Sequence, residues 1–231
     1  MHPTLKAARI AGVTYLVIVL TGLFSLMYVP GKLIVRSDAT ATAGNVLAHE
    51  MLFRLGIVGN LLGTVVFICL GIALYRLLRD VSLTQAWLML SFVLVSSAVA
   101  FVDEVNNLAA LILFRGGDFL TVFDQTQRNA LGMLFLRLHG QGIVINEIFW
   151  GLWLLPFGVL VYQSRFLPRI LGAWLVLNCF AWLAFGIAGL LWPQYSQTVY
   201  HIISPVLVGE MAIMLWLLIR GANVKRLPVA S

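Results

Sequence analysis

Residues 84–114 read TQAWLMLSFVLVSSAVAFVDEVNNLAALILF. A bilayer core takes roughly 20 apolar residues as helix, so this run is long enough to cross. Yet Asp103, Glu104, Asn106 and Asn107 interrupt it. A charge at a helix centre in lipid costs roughly 2.5–3.5 kcal/mol on the gentler scales. Residues kept at that cost face a protein interior or a wet cavity, and they mark where function is sought. The stretch therefore argues for a helix in a membrane bundle with something polar to bury. Two other apolar runs carry the same signature. Arg137, His139, Asn146 and Glu147 open one, and Glu210 sits inside another.

The rest of the chain agrees. It has 231 residues, 61% hydrophobic and 10% charged, where a soluble domain carries about 25% charge. The deficit extends along the whole length, so lipid is the expected solvent. The length permits about six crossings with short loops and leaves no room for a separate soluble domain. We read residues 1–231 as a single all-α integral membrane domain. The net charge of +6 raises nucleic acid as a partner. The basic residues, however, lie in small clusters between apolar runs rather than in one patch, which speaks against it. Cys69 and Cys179 fall among apolar neighbours and read as small buried hydrophobes. The basic start, Met1 to Arg9, precedes an apolar run too long for a signal-peptide core, so that run reads as a retained first helix.

Six segments are expected, at about 8–28, 52–75, 84–114, 142–162, 168–191 and 199–219. Pro30-Gly31 ends the first, and Gly116-Gly117 the third. Pro168 suits the first turn of the fifth, where a missing N–H costs nothing, and Pro193 the stop after it. Two connections look helical. Asp38 caps a stretch over about 39–50 that leads toward the second crossing. Leu131, Leu134, Phe135 and Leu138, spaced i, i+3, i+4 and i+7, give an interfacial helix over about 125–138. Gly140-Gln141-Gly142 would then break it before the fourth crossing. Pro156 and Pro205 are expected to kink the fourth and sixth.

Lys and Arg set the orientation. With a cytoplasmic N-terminus, the inside holds Lys6, Arg9, Arg76, Arg79, Arg165, Arg169, Arg220, Lys225 and Arg226. The outside holds Lys32, Arg36, Arg54, Arg115, Arg128 and Arg137. Every inside loop is basic, with Asp80 its only acid, so both termini are placed in the cytoplasm. On that topology the polar residues fall at outer or central depth, and one outward-opening pocket is the economical reading. Asp103, Glu104, Glu147 and Glu210 would supply negative charge. Arg54 and Arg137 would orient them or hold an anionic headgroup, and Asn60, Asn107 and Asn146 would complete the hydrogen bonding, with His139 near the mouth. Four acids against two arginines leave an excess that needs a protonated acid, a protonated histidine or a bound cation.

Other chemistries have thinner support. A metal would draw on His139 or His201 with the carboxylates, but no H-E-x-x-H spacing is present; His2 and His49 look peripheral. The serines of the third segment sit in no G-x-S-x-G elbow. No haem, nucleotide or flavin motif appears, so no cofactor is expected. The tryptophans read as interface anchors and packing.

Three short stretches carry a family likeness: Leu136-Arg-Leu-His-Gly-Gln-Gly142, Phe149-Trp-Gly-Leu152 and Ser164-Arg-Phe-Leu-Pro-Arg-Ile-Leu-Gly172. Ala8-Arg-Ile-Ala-Gly12, Ala39-Thr-Ala-Thr-Ala43 and Phe53-Arg-Leu-Gly56 fit as well. Over about residues 7–192 the chain resembles a bacterial membrane family catalogued as domain of unknown function 4386. The resemblance implies a multi-helix bacterial membrane protein and carries over no activity; we place the chain in the bacterial cytoplasmic membrane. Glu147 and Glu210 lie outside its recognisable pattern.

The expectation is thus a polytopic protein with a pocket that binds or conducts a small polar ligand, a cation or a lipid headgroup. One alternative is an intramembrane enzyme using His139 or His201 with a carboxylate. The other is a structural or accessory subunit, whose polar groups would be packing glue between helices and whose partner is a membrane protein or a second copy.

Overall fold

Apolar side chains in lipid leave the backbone no solvent to bond, so a spanning segment must satisfy its own N–H and C=O groups as helix. The computed structural model describes residues 3–223 and shows this throughout, with no strand among the described residues. His2, Lys225 and Arg226 lie outside them. The helices are α1 (Pro3–Gly22), α2 (Val29–Leu33), α3 (Ala39–Ala48), α4 (Glu50–Leu78) and α5 (Leu83–Arg115). They continue with α6 (Gln125–Leu152), α7 (Leu154–Gln163), α8 (Arg169–Leu191) and α9 (Ser196–Ile219). Six stretches are long and apolar enough to cross a membrane: Thr4–Leu33, Glu50–Leu78, Leu83–Arg115, Gln125–Gln163, Arg169–Leu191 and Pro193–Ile219. The chain is a six-span helical membrane protein.

Two boundaries differ from the sequence reading. The first span does not stop at Pro30-Gly31. A π-helical turn over Leu23–Tyr28 precedes Pro30, and helix resumes to Leu33. Pro30 would leave the carbonyl four residues back, on Leu26, without its N–H. That residue lies in the wider-bonded turn, which absorbs the missing bond. The expected break at Gly140-Gln141-Gly142 is also absent, because α6 runs unbroken from Gln125 to Leu152. Gly142 serves close approach rather than a turn. A Cβ there would fall inside contact distance of the Asp103 carboxylate. The interruption comes at Trp153 instead, just before Pro156 in α7. Asp38 caps α3 as expected, accepting from Ala41 N–H at 2.9 Å. In α9, Pro205 cannot bond the His201 carbonyl, and Ser204 Oγ donates to it at 3.1 Å, the usual rescue of a proline in lipid.

The chain divides into two compact units. Residues Ile18–Val65 and Ala98–Ile143 form one; the other comprises residues 3–17, 66–97 and 144–223 of those described. In the 18–65/98–143 unit, Val29, Leu33, Val46, Phe53, Ile57, Leu111, Phe114 and Leu136 make a continuous apolar core. The other unit owes its closest packing to small residues. A Cβ on Gly158 of α7 would lie 2.7 Å from the Gly172 carbonyl oxygen of α8, so glycine lets the two backbones touch. Dispersion and such close contacts, rather than hydrophobic burial, hold helices together where the solvent is itself apolar. Both cysteines are free thiols; Cys179 is buried as expected, whereas Cys69 is exposed, contrary to the reading of a buried residue.

Candidate functional site

Within the 18–65/98–143 unit, helical spacing puts Asp103 and Glu104 on adjacent faces of α5, and each acid finds different partners. Asp103 accepts from Asn106 Nδ2 at 2.9 Å, one turn on along the same helix. Its other oxygen lies 2.7 Å from His139 Nδ1 on α6. Both side chains are largely buried, 10% and 14% exposed. The approach is close enough for an ion pair but off the line of an aligned hydrogen bond. Glu104 is 3% exposed. It accepts from Asn107 Nδ2 at 3.0 Å and from Asn60 Nδ2 of α4. Thr64 Oγ1, one turn on, donates to the Asn60 main-chain carbonyl at 2.9 Å. The Glu104 carboxylate is thus held by two amides from two helices, with no cation bonded to it among the described residues.

The two arginines serve elsewhere. Arg54 Nε meets Glu50 Oε1 at 2.7 Å, one turn back on α4. Arg115 also approaches Glu50, at 3.6 Å. Arg137 is exposed and donates to the Arg36 carbonyl at 3.4 Å. Neither Arg54 nor Arg137 bonds Asp103 or Glu104. Both lie on more exposed faces of their helices, where a guanidinium keeps its water or takes a surface partner.

In the unit of residues 3–17, 66–97 and 144–223, Glu210 sits near the middle of α9. Its Oε2 accepts from Tyr15 OH at 2.6 Å and its Oε1 from Trp182 Nε1 at 2.7 Å. Trp182 packs edge to face on Trp150, ring centroids 5.3 Å apart. With its nitrogen toward Val206 O, the buried Asn178 amide donates to that carbonyl and accepts from the Glu210 N–H at 3.0 Å. Asn146 is buried and accepts from Ser96 Oγ at 2.8 Å.

Glu147 is the exception. It is 7% exposed, and its Oε2 makes no hydrogen bond among the described residues. The face it occupies is informative. Val144 and Ile148 meet Gly186 of α8, and Gly151 meets the Cys179 carbonyl and Trp182. Residues 144, 147, 148 and 151 follow i, i+3, i+4, i+7, a single stripe of α6. Glu147 therefore shares the stripe that packs against α8, with a carboxylate oxygen left for a donor.

The residues expected in one pocket fall in two units: Arg54, Asn60, Asp103, Glu104, Asn107, Arg137 and His139 in one, Asn146, Glu147 and Glu210 in the other. Sequence reasoning missed Tyr15, Trp182, Ser96 and Asn178. Trp182 carried a signal, since it lies well inside α8 rather than at an end, and a buried indole N–H needs a partner. No three His, Cys, Asp or Glu side chains gather as a metal site would require, among the described residues. His201 is exposed, and its Nε2 lies 3.1 Å from Gln197 Nε2.

A family model described as a domain of unknown function, DUF4386, matches residues 10–221. This is nearly the whole described chain and extends past the 192 at which the sequence likeness was read. The chain belongs to that family. No curated protein matches it, and no solved structure does.

Proposed function

We propose that this member of the DUF4386 family is a multi-pass protein of the bacterial cytoplasmic membrane, both termini inside, that binds a small cationic ligand at Glu147. The observation that carries the reading is the buried Glu147 Oε2 without a hydrogen bond among the described residues. A carboxylate oxygen buried with no donor costs about 1–3 kcal/mol, more when charged. A chain that keeps it on a helix-packing stripe has left a place for a donor from outside. Glu104 and Glu210 are satisfied by amide, phenol and indole donors, so Glu147 is the acid with capacity to spare. An N–H-bearing cation of ammonium or guanidinium type suits a buried oxygen that lacks a donor. Such a cation brings both charge and donor.

The test is a thermal-shift titration of the purified protein in nanodiscs with sodium, potassium, ammonium, guanidinium and spermidine salts at matched ionic strength. One nitrogenous cation class raises the melting temperature of the wild type and leaves Glu147→Gln unmoved. A wild type that responds to none of them, or a Glu147→Gln protein that responds equally, overturns the reading.

A second reading rests on the 2.7 Å approach of His139 to Asp103. A histidine beside a carboxylate is the pairing that general base work uses, which would make the chain an intramembrane enzyme. It requires that His139→Gln abolish turnover of some substrate while the fold and the cation response persist.

A further inference from the structure

The connection between α7 and α8 carries a feature independent of Glu147. A cavity of about 490 Å³ is lined by Arg165, Leu167, Pro168 and Arg169. That size is within the range of small-ligand sites. Arg165 has φ +60, the one non-glycine residue with a left-handed backbone among those described. Such a backbone persists only where its surroundings over-determine it, and here they do. Phe166 N–H donates to the Ser164 carbonyl at 2.7 Å, and Leu167 N–H to Ser164 Oγ at 3.2 Å. Asn223 N–H, beyond α9, closes on the Phe166 carbonyl at 3.0 Å. The turn drives Phe166 and Leu167 into the interior, 5% and 3% exposed, and leaves the arginines on either side of them exposed.

Neither guanidinium has an acidic partner or a hydrogen bond among the described residues. Arg169 lies over the Tyr162 ring at 5.7 Å, which orients it without neutralising it. The surroundings offer little negative charge. Lys6, Arg9, Arg76, Arg79 and Arg220 lie at the same ends of their spans, with Asp80 the only acid, and Asp80 faces Arg79 at 3.8 Å. The cavity also opens at the start of α8, which has no side-chain cap; its first N–H groups and dipole favour an anion.

We propose that this cavity binds a phosphate group. Two unpaired guanidiniums suit its oxygens better than a single charge would. The buried Leu167 at the floor and the position at a span end suit the phosphodiester of an anionic phospholipid headgroup; free phosphate is the other source of the same chemistry.

The experiment uses the purified full chain in dodecylmaltoside, titrated by thermophoresis with dioctanoyl phosphatidylglycerol, dioctanoyl phosphatidylcholine and inorganic phosphate. Arg165→Gly removes a guanidinium at a backbone that glycine adopts freely, so it tests binding without unfolding the turn. Phosphatidylglycerol binds the wild type, and Arg165→Gly and Arg169→Gln each weaken it about tenfold, as loss of a charge-assisted bond predicts. Arg79→Gln, on the same side but outside the cavity, leaves binding unchanged. Displacement of the lipid by millimolar inorganic phosphate identifies free phosphate as a ligand of the site; no displacement identifies the lipid diester. Equal binding of phosphatidylcholine, retention of affinity in both cavity variants, or an equal loss in Arg79→Gln overturns the proposal.

Discussion

Replacing Tyr15 by Phe removes one oxygen and nothing else. The ring keeps its packing against Trp153, whose centroid is 6.1 Å away, and Tyr15 is 5% exposed, so no water takes the place of the hydroxyl. What is lost is the 2.6 Å bond to Glu210 Oε2. Hydrogen bonds to charged groups contribute about 1.5–3 kcal/mol in soluble proteins, whereas interhelical bonds in membranes average about 0.6 and reach about 1.7 kcal/mol. The membrane average is low because loosened helices find other partners. Here the bond is short, and Trp182 already serves the other oxygen, so nothing nearby replaces the phenol. We expect Tyr15→Phe to cost about 1.5 kcal/mol, near the membrane maximum. The assay is reversible unfolding in mixed micelles, followed by tryptophan fluorescence, in a double-mutant cycle with Glu210→Leu. In the Glu210→Leu background the hydroxyl has lost its acceptor, and Tyr15→Phe should cost less than about 0.5 kcal/mol, leaving roughly 1 kcal/mol of coupling. An equal cost in both backgrounds would refute the assignment of the energy to this bond.

Glu147→Leu should raise the stability of the ligand-free protein by about 1–3 kcal/mol, because it deletes a buried oxygen without a donor; a loss in the same micelle assay would mean that Glu147 is a structural partner after all. Gly142→Ala puts a methyl group against the Asp103 carboxylate. It should cost about 1–3 kcal/mol and shift the His139 ring resonances, whereas an unchanged His139 spectrum would show that the two helices do not approach there.

How much of this was legible beforehand depends on the range of the cause. The polar segments were visible because a charge inside an apolar run is a local anomaly. Asp103 and Asn106 share a face by their spacing alone, and they do bond. Asp38 before an alanine-rich run is likewise a local signal, and it caps α3. The fate of Arg54 and Arg137 was not legible. Counting acids against arginines suggested pairs, but an arginine reaches only what its helix face offers. Glu50 lies one turn from Arg54, and Arg137 meets a backbone carbonyl. Gly142 misled for a related reason. Glycine signals both a turn and a close approach, and only the neighbouring helix tells which.

The sequence by itself determined that the chain is helical, that it crosses the membrane six times, and which acids lie in the crossings. Length, hydropathy and the need to satisfy the backbone in lipid leave no other choice. Only the tertiary structure decided what those acids do: His139 beside Asp103, two amides on Glu104, a phenol and an indole on Glu210, and an oxygen of Glu147 with no hydrogen bond among the described residues. Spacing along a helix says which residues share a face. It does not say which way that face turns, because in lipid the rotation of each helix is set by packing against its neighbours, through contacts between residues far apart in the chain.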